Sequence, residues 1–298
     1  MTAAGTGRRS LKQRLAAGER LHGALLRIPS ETLVEMAGIA GLDYVVIDCE
    51  HGPADLTALQ HHLTAAAAQG IDVLVRVGAA EPALALRCLD LGAAGLIHPH
   101  VGSARDARAV VAADRYPPLG RRGFATYSRA GRFGTVSAAG HLAAAEETLV
   151  VVMIETARAC DAAEEIASTE GVDAVLAGPA DLAADRGFPG PDVVGAMVSR
   201  VHRATHAAGR AVMTIVAGAE GAREAERAGA QLVLYNMAQV LMDTFRTLVP
   251  PRPADGSAPA DRHRCPAPPG PAAPSAGARP AAGGAPASAR PDAPRHTS

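Results

Sequence analysis

An apolar run leads directly into three titratable side chains in Tyr44-Val-Val-Ile-Asp-Cys-Glu-His-Gly52, which reads as a buried strand ending in Asp48, Glu50 and His51. Acids and an imidazole at the carboxyl end of a strand lie where α/β enzymes carry out their chemistry. Later segments repeat the pattern. Asp72-Val-Leu-Val-Arg76 ends in a guanidinium, Val150-Val-Val-Met-Ile154 runs into Glu155, and 174–177 leads to Asp181 through Gly178, Pro179 and Ala180. Two carboxylates at neighbouring strand ends, with an arginine across from them, suit a hard divalent cation holding an anionic, oxygen-rich substrate. Oxygen donors point to magnesium or manganese, because neither the cysteine nor the clustered-histidine spacing of a zinc site occurs.

Each of these residues also has a simpler role open to it. Glu155 or Thr156 could cap the following helix, and Asp181 could cap its own turn. Arg76 is costly to bury alone, so an ion pair with Asp48 or Glu50 is an alternative to gripping a substrate carboxylate or a growing enolate charge. His51 is the acid/base candidate, since imidazole titrates near neutral pH, and Asp90 would orient it if the fold brings the two together. Asp90 sits late in a predicted helix before Gly92, where a surface or capping aspartate is equally at home. His98 and His100 flank Pro99 and are candidates to line the pocket.

The elements that must position these groups alternate. Short apolar runs at 21–26, 44–47, 73–77, 95–98, 150–154, 174–177, 211–215 and 231–235 predict strands, and 32–40, 57–69, 82–91, 103–114, 159–168, 193–208 and 221–228 predict helices. Eight strands separated by helices predict an α/β (β/α)8 barrel. Glycines 41, 171 and 229 supply helix stops just before strands. An open doubly wound sheet is the rival, but no glycine-rich dinucleotide fingerprint follows an early strand. The section 116–148, rich in proline and glycine, reads as an elaborated loop over the barrel mouth or at a subunit contact.

The chain has 298 residues and a formal net charge of -1, a balance that gives no general attraction to nucleic acid or anionic membrane. A small-molecule substrate is the default. Four cysteines without paired spacing, and no apolar run long enough for a signal sequence or membrane span, predict a cytoplasmic protein. Residues 1–18 read as an N-terminal extension or helix, 19–249 as the barrel, and 250–298, rich in Pro, Ala and Gly, as a disordered tail.

Taken in order, 43–53, Val75-Arg-Val77, 88–95, 115–123, Ile154-Glu-Thr156 and Gly178-Pro-Ala-Asp-Leu182 carry a resemblance over about Leu21 to Leu248. The chain resembles the 4-hydroxy-2-oxoheptanedioate and 2-dehydro-3-deoxyglucarate aldolase family, class II pyruvate aldolases of the HpcH/HpaI type related to the citrate lyase β subunit. That resemblance implies a barrel in which Glu155 and Asp181 bind a divalent metal (magnesium, manganese or else cobalt) chelated by a 2-oxo acid. It implies that Arg76 steadies the pyruvate enolate and that His51 with Asp90 is the acid/base pair. Asp48 is taken as a further catalytic residue, with Arg76, Gly178, Pro179 and Ala180 binding substrate. The partners implied are a 2-oxo acid, an aldehyde and further copies of the chain in a homo-hexamer, a trimer of dimers, with the last helix exchanged between subunits. A citryl- or malyl-thioester lyase and a non-catalytic oligomeric barrel are the alternatives. Ala24, Met153, Asn236, His98 and His100 depart from the family pattern.

Overall fold

The apolar runs become strands because each is buried on both faces: all five residues of Tyr44–Asp48 and of Asp72–Arg76 are buried, as a parallel sheet sheathed in helices requires. A computed structural model describes residues 8–250. The tail expected at 250–298 lies, apart from Pro250, outside the described residues, as do residues 1–7. In chain order the elements are α1 (Leu11–Ala16), β1 (Leu21–Leu26), α2 (Glu31–Ile39), β2 (Tyr44–Asp48), α3 (Leu56–Gln69), β3 (Asp72–Arg76), α4 (Pro82–Asp90), β4 (Gly95–His98) and α5 (Ala104–Asp114). A 3-10 turn at Arg132–Gly134 follows, then α6 (Ala138–Glu146), β5 (Leu149–Ile154), α7 (Ala157–Asp161), α8 (Ala163–Ala167), β6 (Ala174–Ala177) and α9 (Pro179–Asp185). The last elements are α10 (Pro191–Ala207), β7 (Ala211–Val216), α11 (Ala219–Arg227), β8 (Leu232–Asn236) and α12 (Met237–Leu248).

All eight strands pair in parallel with their sequence neighbours, and β1 closes on β8 from Leu21 beside Leu232 to Leu25 beside Asn236. Alternation sets the two faces. Leu25, Tyr44, Val46, Leu74, Ile97, Val151, Met153, Leu176, Met213 and Leu234 fill the barrel, while Val45, Val73, Val150, Val175 and Val233 meet the helices. Tyr44 is the bulkiest interior side chain; its hydroxyl donates to the Val233 carbonyl at 3.1 Å, and a Cβ on Gly23 would lie 2.3 Å from its ring.

The first helix explains how the lower end is sealed. Ser10 and Gln13 form a reciprocal capping box at its start, and Leu11 and Leu15 join the interior cluster. Its charged face ties to acids at the strand entrances: Arg14 to Asp43 at 2.7 Å, Lys12 to Asp173 at 3.1 Å, and Arg8, just before the helix, to Asp72 at 2.9 Å. The first helix therefore closes the floor end of the barrel axis, opposite the carboxyl ends of the strands.

Two expectations need correction. The 116–148 section is not loop throughout, since α6 occupies Ala138–Glu146, capped by Ser137, which accepts from Gly140 N at 3.1 Å. The helix expected at 159–168 is two short ones with a break at Ala162. Among the described residues, no helix is long and apolar enough to cross a membrane.

Candidate active site

At the mouth, alternation turns Asp48, Arg76, Met153 and Asn236 inward, because each lies two residues beyond an inward-facing core side chain. Asp48 and Arg76 are partners in the β2–β3 register, and Arg76 grips the carboxylate with two points of its fork: Nε to Oδ1 at 2.9 Å and Nη2 to Oδ2 at 2.5 Å. Oδ1 also accepts from the backbone N–H groups of Glu50 and His51, each at 3.2 Å, and Oδ2 from Arg27 Nε at 2.8 Å. Burial works to raise the Asp48 pKa, but the bonds from Arg76 and Arg27 outweigh it and hold the carboxyl down at about 2. Asp48 is thus a permanent anion with its lone pairs taken up by donors. That suits holding Arg76 in place, not exchanging protons.

The ion pair that sequence reasoning offered as an alternative for Arg76 is present, and it leaves one edge of the fork free. Arg76 Nη1 reaches only the Met153 sulfur, at 4.0 Å. Glu50 Oε2 lies 3.3 Å from Arg76 Nε yet makes no hydrogen bond, a buried acceptor turned towards the mouth.

Glu155 and Asp181 come together over Gly178. A Cβ built there would sit 2.8 Å from Glu155 Cγ, 3.0 Å from its Oε1 and 3.3 Å from Asp181 Oδ2. Neither acid caps a helix: Thr156 caps α7 by accepting from Ala159 N at 3.1 Å, and α9 begins at Gly178 without a side-chain cap. Burial raises the Glu155 pKa, the negative charges of Asp181 and Glu50 push the same way, and His100 opposes them through its backbone N–H and its ring. A buried carboxylate crowded by a second, half-buried acid suits a cation. Among the described residues no three His, Cys, Asp or Glu side chains form a complete metal cage. Two carboxylates with the remaining positions left to water and substrate oxygens fit magnesium or manganese.

His100 holds the other oxygen of Glu155. Its backbone is left-handed at φ 57°, a conformation costly for a non-glycine residue. That conformation aims both the N–H (2.7 Å) and ring Nδ1 (3.2 Å) at Glu155 Oε2, while Nε2 stands 3.3 Å from Glu50 Oε1. His98 does not share this place: Ile97 faces inward, so His98 faces the helices and pairs with Asp114 at 2.7 Å.

His51 sits on the loop after β2 with an exposed ring, 3.9 Å from Glu50 Oε2. Its expected pairing with Asp90 is not made among the described residues. Asp90 ends α4, and a helix that leaves the mouth after β3 returns to the floor by its last turn; there Asp90 accepts from Arg122 Nη2 at 2.8 Å. Gly178, Pro179 and Ala180 form the start of α9 beside the two acids. Arg27, which sequence reasoning did not single out, joins the site through Asp48. Its only signal was a cation directly after a predicted strand.

A closed parallel barrel with acids and a locked guanidinium gathered at the carboxyl ends of its strands has the architecture of a barrel enzyme. The sequence matches the HpcH/HpaI aldolase/citrate lyase family over residues 25–240, and the chain belongs to that family. It is 39% identical over 196 residues to a pyruvate aldolase of Rhizobium etli, covering 64% of this chain and 77% of the relative. A 2-keto-3-deoxy-L-rhamnonate aldolase of Escherichia coli is 34% identical over 235 residues, covering 77% and 87%. The crystal structure of an HpcH/HpaI aldolase/citrate lyase family protein from Burkholderia cenocepacia superposes with a TM-score of 0.75 at 37% identity, covering 81% of this chain and 98% of that one.

Proposed function

We propose that the chain is a divalent-metal-dependent aldolase that reversibly cleaves 4-hydroxy-2-oxo acids to pyruvate and an aldehyde. The convergence of Glu155 and Asp181 over Gly178, facing an arginine whose other edge is locked by Asp48, carries this reading. Glu155 Oε1 and Asp181 would hold the ion, magnesium or manganese by the hardness of the donors. When bound, it supplies Lewis-acid polarisation of the 2-keto group.

The chain's own residues divide the remaining work. His51, exposed beside Glu50, takes the proton from the 4-hydroxyl as the C3–C4 bond breaks, and the bonding electrons pass to the pyruvate fragment. The free Nη1 edge of Arg76 stabilises the resulting enolate oxygen, and protonation at C3 completes pyruvate. Gly178, Pro179 and Ala180 flank the substrate carboxylate. A Schiff base is not available at the mouth, because the only lysine, Lys12, is at the floor paired with Asp173.

We also propose a cytoplasmic homo-oligomer, a hexamer as the resemblance implies. Met242, Phe245 and Leu248 are exposed on α12, which buries none of its residues in the described chain. Asp90 can serve a His51 only across such a subunit boundary. Pyruvate release from racemic 4-hydroxy-2-oxo acids tests the reading. It is expected to vanish on chelation, to return with magnesium or manganese, and to be lost in Glu155→Ala; turnover indifferent to chelator would overturn it.

A further inference from the structure

Arg27 lies immediately after β1, where the chain leaves the barrel wall for the rim, and Asp48 fixes only its near end. Arginine carries five N–H donors. Among the described residues Arg27 commits one of them, Nε to Asp48 Oδ2 at 2.8 Å. The remaining donors sit on the two Nη groups at the end of a side chain that keeps 34% of its surface in solvent. This differs from Arg76, which is 5% exposed and uses two points of its fork on the same carboxylate.

The place of Arg27 along the substrate follows from its neighbours. A Cβ on Gly52 would lie 3.4 Å from the Arg27 Cα, so the backbone of Arg27 packs against the residue that follows His51. Asp48 stands between the two guanidiniums, with Arg76 deeper and Arg27 at the rim. If the enolate oxygen meets Arg76 and the aldol hydroxyl meets His51, the part of the acceptor beyond that hydroxyl extends towards Arg27. A guanidinium with unused paired donors recognises a carboxylate or another oxyanion in a two-point contact that a neutral terminus cannot match.

We infer that Arg27 is a specificity-determining residue that receives the anionic terminus of the acceptor aldehyde, so that the enzyme prefers aldehydes carrying a carboxylate or a comparable oxyanion. The inference rests on the aldolase reading and names its acceptor class. The reaction balances as a simple addition: pyruvate loses a methyl proton, the new C–C bond forms at the aldehyde carbon, and the aldehyde oxygen gains a proton.

The test compares aldehydes of matched length, glyoxylate with acetaldehyde and 4-oxobutanoate with butanal, using wild type, Arg27→Met and Arg27→Lys. Wild type is expected to favour the anionic member of at least one pair. Arg27→Met is expected to cut the ratio of kcat/KM for the anionic over the neutral aldehyde by about tenfold or more, the scale of one lost charge-assisted contact, beyond whatever loss both share through Asp48. Arg27→Lys is expected to recover part of the preference, since it restores the charge without the fork. Equal losses for charged and neutral aldehydes would overturn the inference and leave Arg27 as a prop for Asp48, as would a wild type without charge preference. Deuterium exchange from solvent into the pyruvate methyl group needs no aldehyde and separates the two levels. Exchange without charge discrimination removes the Arg27 inference alone, whereas no metal-dependent exchange in wild type removes the aldolase reading and this inference with it.

Discussion

Replacing Gly178 with alanine puts a methyl group in the space where two acids meet, and its consequences can be worked from the structure. The backbone accepts the change, because Gly178 has φ -93°, ordinary for any residue. Space is what fails: the new Cβ would lie 2.8 Å from Glu155 Cγ, against 3.4 Å for ordinary contact. Glu155 must therefore retreat by roughly 0.6 Å, which already exceeds the roughly 0.5 Å tolerance of a working site. Magnesium, with its near-ideal octahedron, is the ion least forgiving of such a shift. Metal affinity is expected to fall about 10- to 100-fold, which is about 1.4 to 2.8 kcal/mol. Calorimetric titration with magnesium and manganese reads the affinity, and circular dichroism melting verifies the fold. A folded Gly178→Ala protein that binds metal within about twofold of wild type would show that Glu155 and Asp181 do not hold the ion.

Acid stability offers a second check. Asp48 has its pKa lowered from 3.8 to about 2, so the stabilisation it gives is complete above about pH 4 and is lost as pH falls through about 2, an effect of about 2 kcal/mol. Urea midpoints between pH 5 and pH 2 should carry this slope in wild type and lose that component in Asp48→Asn. The same variant leaves two guanidiniums without their anion and should cost about 3–5 kcal/mol at neutral pH; a cost under about 1 kcal/mol would remove Asp48 as the anchor of Arg76. Leu11→Ala empties a fully buried position in the floor, and about 2–5 kcal/mol of stability should be lost with metal affinity unchanged. A change in both would mean that floor and mouth are coupled.

The barrel was readable because its signal is local: eight apolar runs alternate with seven helical stretches, and glycines 41, 171 and 229 end helices just before strands. Strand limits moved by a residue or two, as where β3 ends at Arg76 and Val77 lies beyond it. The helices that escaped were short or disguised. α6 follows a proline- and glycine-rich stretch, and α9 opens on Pro179, whereas α1 falls inside the 1–18 section read as an extension or helix. Within the site, Glu155 and Asp181 could be selected because each follows a strand, but the closeness of their carboxylates depends on Gly178, whose lack of a side chain means nothing until β5 and β6 are paired. His100 and Arg27 acquire meaning only through partners 55 and 21 residues away. The separation of His51 from Asp90 within one chain has the same origin, since Asp90 is near in sequence to the third strand end yet α4 carries it a helix length away.

Closure of the sheet between its first and last strands has a consequence for how the chain is made. Leu21–Leu26 emerges early from the ribosome but cannot find its second neighbour until Leu232–Asn236 has followed. For that interval a hydrophobic ribbon carries an unpaired edge, which is when nascent proteins stick to one another. Slower translation across the intervening helices would prolong the exposure, and chaperone demand during expression should rise with it.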